Sequence, residues 1–366
     1  MRLQTVLTWL AVSLLAVGCN SQNSTDADTA PEVPEWLSKG GGKSAAGKSA
    51  LGADTDPLEE SSGDQSASAT RPAREPRGEL KLQLQPGVQF PLKKQVITTL
   101  VQTSSDGTVQ QAQTQLRLLM AITVEEVAKG RTRLGVRYNR VEFDQTLTDG
   151  QKLEYRSTQP PAQIPVAAQA YHDMVNDGFS FWIGQDNQIN EVVGFREFLG
   201  RCLAHVPASQ QKQVMLGMEA GSDENGISDF VDNTIGLLPF GQDVTPGQEW
   251  TRHRSVTRPI PMIVQCKYTL QELTPAEATV KITGEIIPSQ SNNQIRQVEG
   301  DEINVTVLGG STVGQCVIFR DTGLPKESYT ERVVNMTVTV GNGFACEQTK
   351  TVQTRVEAFP SAPTAP

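Results

Sequence analysis

The side chains able to do acid–base, nucleophilic or metal chemistry are few and scattered. The chain has three histidines. His172 and His205 fall on expected helices and His253 on an expected strand. Cys202 and His205 are three apart, so a helix would put them on one face, as two metal ligands require. No third ligand follows at a definable spacing, and a core cysteine beside a partly exposed histidine accounts for the pair. A nucleophile elbow, G-x-S-x-G, does not occur: Gly309-Gly310-Ser311-Thr312-Val313 fails at its last position. Glu125 and Glu126 are strand neighbours facing opposite ways, and Glu59-Glu60 lies in a polar stretch, so neither is an acid/base pair. Asp223, Glu224, Asp229 and Asp232 flank Asn225-Gly226 but miss the calcium-loop spacing and read as helix-capping acids. Residues 42–49, Gly-Lys-Ser-Ala-Ala-Gly-Lys-Ser, match the P-loop letter for letter. A phosphate cradle needs a strand before it and a helix after it. Residues 34–41 are no strand, and Gly52 and Pro57 soon follow, so the match is a product of Gly/Ser/Lys-rich composition. No catalytic residue, metal or cofactor is indicated.

One cysteine has a different chemistry. Residues 1–18 carry Arg2 and then a mostly apolar run from Leu3 to Val17, short for a spanning helix. The run ends Leu15-Ala16-Val17-Gly18-Cys19, which resembles the bacterial lipoprotein signal, with Ala16 where Leu is commoner. The resemblance implies cleavage before Cys19, a diacylglyceryl group on its thiol and an acyl chain, such as palmitate, on the new amino terminus. Several acyl chains anchor stably by burying many methylenes. Asn20, rather than Asp, fits outer-membrane sorting in enterobacteria-like cells.

The rest of the chain must hold whatever this anchor carries. With 41 acidic and 32 basic side chains the net charge is −9, which argues against a nucleic-acid partner. No later run of 18 apolar residues would cross a membrane as a helix. Residues 19–78 are Ser, Thr, Ala, Gly, Pro, Asp and Glu, with Trp36, Leu37 and Leu51 as exceptions. Such a stretch cannot bury enough surface to fold and reads as a lipidated spacer, spanning about 45 Å as a flexible coil.

Ordered sequence begins near Glu79. Leu80, Leu82 and Leu84 alternate with polar residues as a strand. Residues 88–102, 113–127 and 132–147 read as long antiparallel strands joined by short turns. A short helix over 166–176 precedes the strand pair 179–183 and 189–193. From 194 to 236 the period becomes helical, with Pro207 and Gly221 dividing about three helices. Strands return at 248–257, 262–273, 278–287, 297–308, 314–320, 326–340 and 345–358. Asn342-Gly343 is a favoured hairpin turn, and 359–366 is a loose tail. The fold class is mainly β, with α: long antiparallel meanders with a central helical insert. Similar strand order in 79–193 and 238–358 points to a duplication that curves into a half-barrel. Cys202, Cys266, Cys316 and Cys346 are an even set in an exported chain and can form two disulfides, with three connectivities open.

Leu238-Pro239, Val244, Gly247 and Trp250 resemble the "LP…V..G..W" segment of an uncharacterised family of bacterial lipoproteins abundant in planctomycetes and Bacteroidetes. Thr322-Gly323-Leu324-Pro325 with Ser328 resembles its "TGLP..S" hairpin. That family has no established activity, so the resemblance implies no site residues. The plan is similar, more loosely, to the half-barrel of periplasmic lipoprotein carriers, which hold acyl chains in an apolar concavity; that likeness is one of fold. The resulting expectation is a non-catalytic protein of the bacterial cell envelope, held at the membrane through Cys19. A strand-built concave face would bind a lipid, another apolar ligand or an envelope protein. Phe181, Trp182, Phe195, Phe198 and Phe230 are the candidate cleft lining. The alternatives are an envelope hydrolase whose site assembles only in three dimensions and a purely structural surface protein.

Two outcomes follow from the anchor and the spacer. Cys19→Ser abolishes incorporation of labelled fatty acid; persistent labelling in that variant contradicts the lipoprotein reading. Limited proteolysis leaves a resistant core from near Glu79 to near Ala358. A stable fragment that retains residues 30–60 contradicts the spacer.

Overall fold

The computed structural model describes residues 77–218, 231, 234–239, 241–256, 261–288, 294–298, 301–340 and 344–358. The signal, Cys19, most of the spacer with its P-loop match, Phe230, most of the third expected helix, the Asn342-Gly343 turn and the tail lie outside the described residues. The fold is mainly β. A short pair, β1 (Gly78–Glu79) with β8 (Asp243–Val244), accompanies a 13-stranded antiparallel sheet.

Period-2 sequence builds that sheet. β2 (Gln89–Ser104) turns Phe90, Leu92, Val96 and Leu100 to one face, all buried, and its odd positions to the other. β3 (Val109–Ala128), β4 (Arg131–Thr146) and β5 (Lys152–Arg156) follow as a meander. After α1 (Val166–Asp173), the hairpin of β6 (Gly178–Ile183) and β7 (Ile189–Val193) joins β4. Then come α2 (Phe195–Cys202), α3 (Ala208–Met218) and a 3-10 turn at Ile235–Leu237. The second run is β9 (Glu249–Val256), β10 (Met262–Leu273), β11 (Glu277–Pro288), β12 (Gln294–Val298), β13 (Asp301–Phe319), β14 (Pro325–Val340) and β15 (Ala345–Ala358).

Two expectations differ. Leu80, Leu82 and Leu84 are not strand; Leu80 is buried, and the segment lies against the 322–323 turn, where Gln83 N–H donates to Thr322 O at 2.8 Å. The break expected at 309–313 is absent, and β13 runs 19 residues through both glycines. Gly309, at φ 141°, takes up the register shift as a bulge instead of turning the chain.

Across the sheet the order is β7-β6-β4-β3-β2-β15-β14-β13-β11-β10-β9, with β5 on β4 and β12 on β13. The two strand runs therefore repeat one order, β7-β6-β4-β3-β2 and β14-β13-β11-β10-β9, with β15 between them. A tandem duplication and a single long meander both give this order. β2 and β15 pair from Leu92/Ala358 to Ser104/Cys346 and join the two ends of the fold.

No strand pairing joins β7 to β9, so the sheet is not closed. It is nevertheless strongly curled. β6 and β9 stand nine strand steps apart, about 43 Å in a flat sheet. Yet Arg252 Nη1 on β9 lies 3.2 Å from Asp186 O, in the β6–β7 turn. Glycines on β13 allow the bend: a Cβ on Gly310 would collide with Val333 O and one on Gly314 with Tyr329 O, both main chain of β14.

The four cysteines are all free and buried, on α2, β10, β13 and β15. No two of them are register partners: Cys266 faces Gly284 and Arg252, Cys316 faces Val280 and Ser328, and Cys346 faces Ser104 and Val338. Separation on different elements and in different cross-strand rows explains why the two disulfides that the sequence permits are not formed here. Burial pushes the Cys202 and Cys316 thiols up to about 12 and raises that of Cys346.

Gly310→Ala is expected to destabilise the fold by about 2 kcal/mol or more, because the new methyl meets fixed main chain. Gly200→Ala, in α2 with open space around its Cα, should stabilise it by about 1 kcal/mol. Thermal melts of the pair check this, and equal effects would contradict the close approach. A thiol reagent at about pH 8 should label none of Cys202, Cys266, Cys316 and Cys346 in the folded chain and all four after unfolding without reductant. Failure to label the unfolded chain would mean that the thiols are paired.

Candidate functional site

Three of the aromatic residues expected to line a cleft, Phe181, Phe195 and Phe198, fill a closed core instead. Phe181 and Phe198 are fully buried and Phe195 is buried. Phe179 meets Phe195 and Phe198 at ring-centroid distances of 5.0 and 5.3 Å, and Tyr138 stacks on Phe198 at 5.7 Å. α2 thus caps the inner face of β4 and β6 through an amphipathic face of Phe195, Phe198, Leu199 and Cys202. Trp182 follows Phe181 in a strand, so it takes the opposite face. There the Arg131 guanidinium sits 4.6 Å from its ring centroid and pairs with Glu191 at 2.9 Å.

The histidines form no catalytic set. Tyr155 OH and His172 Nδ1 share a hydrogen bond at 2.8 Å, and His205 Nδ1 lies 3.0 Å from Asp173 Oδ2. Burial, then the charge of Asp173, pushes the Tyr155 hydroxyl up to about 12. The raised Cys202 thiol beside them is the opposite of an activated nucleophile. Glu142 and Asp144 are paired carboxylates on β4, but Arg117, Arg140 and Arg156 surround them. Burial acts to raise the Glu142 pKa; the Arg117 hydrogen bond and the three cationic charges outweigh it and hold it low. A general acid needs the reverse shift. Among the described residues no group of three or more His, Cys, Asp or Glu is placed to hold a metal, and no helix is long and apolar enough to cross a membrane.

The site the fold does build lies at the seam between the sheet edges. Ile235, Leu237 and Leu238 are fully buried, and their carbonyls need donors. β9 supplies them: Trp250 Nε1 donates to Leu237 O at 2.7 Å, and Arg252 Nη2 donates to Leu238 O at 2.7 Å. From the other edge Gln188 Nε2 donates to Gly236 O at 3.5 Å. The "LP…V..G..W" residues belong to this device. Leu238 carries an accepting carbonyl, Val244 pairs with Gly78, and Gly247, at φ 87°, donates its N–H to Leu270 O. The "TGLP..S" hairpin does separate work: Gly323, at φ 73°, leaves room for Lys81 O, and Ser328 sits buried opposite Cys316.

Beside the seam is a small, partly open cleft lined by Gln188, Gly236, Arg252, His253, Arg254, Val264, Cys266, Tyr268 and Arg332. Trp250 stacks on Tyr268 at its wall, 5.9 Å between centroids. The register places Arg332, Thr312, Gly284, Cys266 and Arg252 in one cross-strand row. The middle of the inner face is polar too: Lys94, Thr98, Gln102, Thr330, Gln348 and Thr354 are all buried there. Gln348 Nε2 donates to Gln102 Oε1 at 3.0 Å. Of these residues the sequence singled out only Trp250, His253 and Cys266, and none of them as part of a cleft. The signal for Lys94 was strand parity, since Leu92, Lys94 and Val96 share a face.

Comparison with known proteins adds a family but no activity. No curated protein matches the chain. The solved structures that it resembles include three weak likenesses. The β domain of the Bordetella autotransporter BrkA has 9% identity and a TM-score of 0.18, over 74% of this chain and 98% of that one. An outer membrane channel from Pseudomonas putida F1 has 7% identity and a TM-score of 0.18, over 76% and 97%. OpdO of Pseudomonas aeruginosa has 7% identity and a TM-score of 0.16, over 74% and 98%. Superpositions this loose carry no argument about fold or function. A sequence profile described as a family of unknown function, DUF6263, matches residues 129–325. The match takes in β4 to β13, the seam and the cleft wall, more than half of the sequence, and the chain belongs to the DUF6263 family.

Proposed function

We propose that this chain is a non-catalytic binding protein of the bacterial cell envelope, anchored through lipid on Cys19, that takes an apolar or amphipathic ligand at the seam cleft. One observation carries the reading. The curled sheet leaves a partly open cleft where its two edges meet, with Val264, Cys266 and Tyr268 as its apolar wall. Polar groups, Gln188, Arg252, Arg254 and Arg332, face that wall, a mixture that suits an amphipathic molecule. The absence of catalysis is supported by the direction in which the reactive groups are shifted: Cys202, Cys316 and Tyr155 are held protonated, and Glu142 is held ionised. The anchor and the spacer would present the site away from the lipid surface.

A hydrophobic fluorophore is expected to bind the purified full chain with about micromolar affinity. The fluorescence of Trp250, stacked on Tyr268 at the cleft wall, should change on binding. No binding across a panel of apolar probes would overturn the reading.

A further inference from the structure

A second polar cluster lies on the inner face, away from the seam cleft. β3, β2 and β15 are neighbours, and their register sets Gln110, Gln102 and Gln348 side by side in one cross-strand row. Ser104 stands in the next row of that face, opposite Cys346 and just inside the turn that joins β2 to β3. Alternation turns all four side chains inward. Gln102, Gln348 and Ser104 are buried, at 1%, 2% and 6% exposure. None of the four lines the seam cleft.

One hydrogen bond joins the row, from Gln348 Nε2 to Gln102 Oε1 at 3.0 Å. Two amides that share one bond keep one N–H group and one carbonyl to spare. Turning both amides over exchanges their roles and leaves the same remainder. Gln102 Nε2 and Gln348 Oε1 accordingly have no hydrogen-bond partner among the described residues, and neither do Gln110 Oε1 and Ser104 Oγ. All four atoms are shielded from solvent, and buried polar atoms in native proteins are paired in the great majority of cases.

The four spare groups are complementary. Two carbonyl oxygens accept, while an amide N–H and a hydroxyl donate. An anion has no proton to give to the two carbonyls, and a cation has no lone pair for the amide N–H. A neutral hydroxyl oxygen has both. Water completes all four bonds, giving two and accepting two, within the usual range for a buried water. The alcohol group of a bound molecule completes three.

We propose that Gln102, Ser104, Gln110 and Gln348 form a buried site for one neutral hydroxyl oxygen, which ties β3 to β15 across β2. The oxygen belongs either to water or to an alcohol group of a bound molecule, and the test separates the two.

A crystal structure of the full chain, at a resolution that shows ordered water, decides it. One density peak is expected within about 3.2 Å of at least three of the four atoms. An isolated peak identifies water, and a peak continuous with further density identifies an alcohol; either supports the site. Direct bonding of Gln102 Nε2 to Gln110 Oε1 with no peak between the four groups would overturn it. So would a peak at metal–oxygen distances, about 2.0–2.5 Å. Gln102→Leu, which removes the central donor, should lose the peak, and a peak that persists there at full height would overturn the assignment. If that variant does not fold, the parent structure alone decides.

Discussion

The carbonyls of Leu237 and Leu238 hold this architecture together. They are buried in a 3-10 turn and accept their hydrogen bonds from side chains of β9, not from a further strand. A buried carbonyl without a donor costs about as much as a lost hydrogen bond, roughly 1–3 kcal/mol. Trp250 and Arg252 are therefore fixed in place, and Arg252 spends a second donor on Asp186 O across the gap. A sheet whose edge strands never pair is in this way held as a curl. The edges meet through one arginine, one tryptophan and a buried turn.

The curl then divides the inner face. Where β4 and β6 curve in, α1 and α2 fill the space with stacked aromatics: Phe143 on Tyr171, Tyr138 on Phe198 and Phe179 on Phe195. Toward β2 and β15 the same face turns polar, with buried Gln102, Gln348, Thr98 and Thr354. At the seam it becomes cationic and partly open. The apolar concavity expected from the strand pattern is thus a sealed aromatic core at one side and a charged cleft at the other. The functional proposals follow from that division. Apolar burial supplies stability where α1 and α2 pack, and the arginines lie beside the turn at Ile235–Leu237.

Much of the fold was legible in the sequence because alternation is a local signal. β10 runs from Met262 to Leu273, where its apolar period begins and ends, and β15 and β14 lie within one residue of their expected bounds. Glycine misled where its role was tertiary. Gly309 and Gly310 fell in the gap between two expected strands, but they serve a bulge and a close strand approach. The site was far less legible. Phe181 and Trp182 cannot both line one cleft, since neighbouring strand residues point apart. β9, Glu-Trp-Thr-Arg-His-Arg-Ser-Val, has no apolar alternation to mark Arg252 and Arg254 as inward; only pairing with Cys266 and Val264 of β10 does so. That Arg332 joins them depends on the curl, which no local pattern encodes. The "LP…V..G..W" residues were visible as a motif, but their role as the seam needed the contact with the β6–β7 turn.

The most direct test of the account is the distance across the seam. Spin labels at exposed Gln185, in the β6–β7 turn, and exposed Thr251, on β9, should give one narrow distance distribution below about 25 Å, because the buckled edges lie far closer than the roughly 43 Å of a flat sheet. In Arg252→Ala the distribution should broaden and lengthen. A parent protein with its main population near 40 Å, or an Arg252→Ala protein whose distribution is unchanged, would contradict the claim that the seam holds the curl and builds the site.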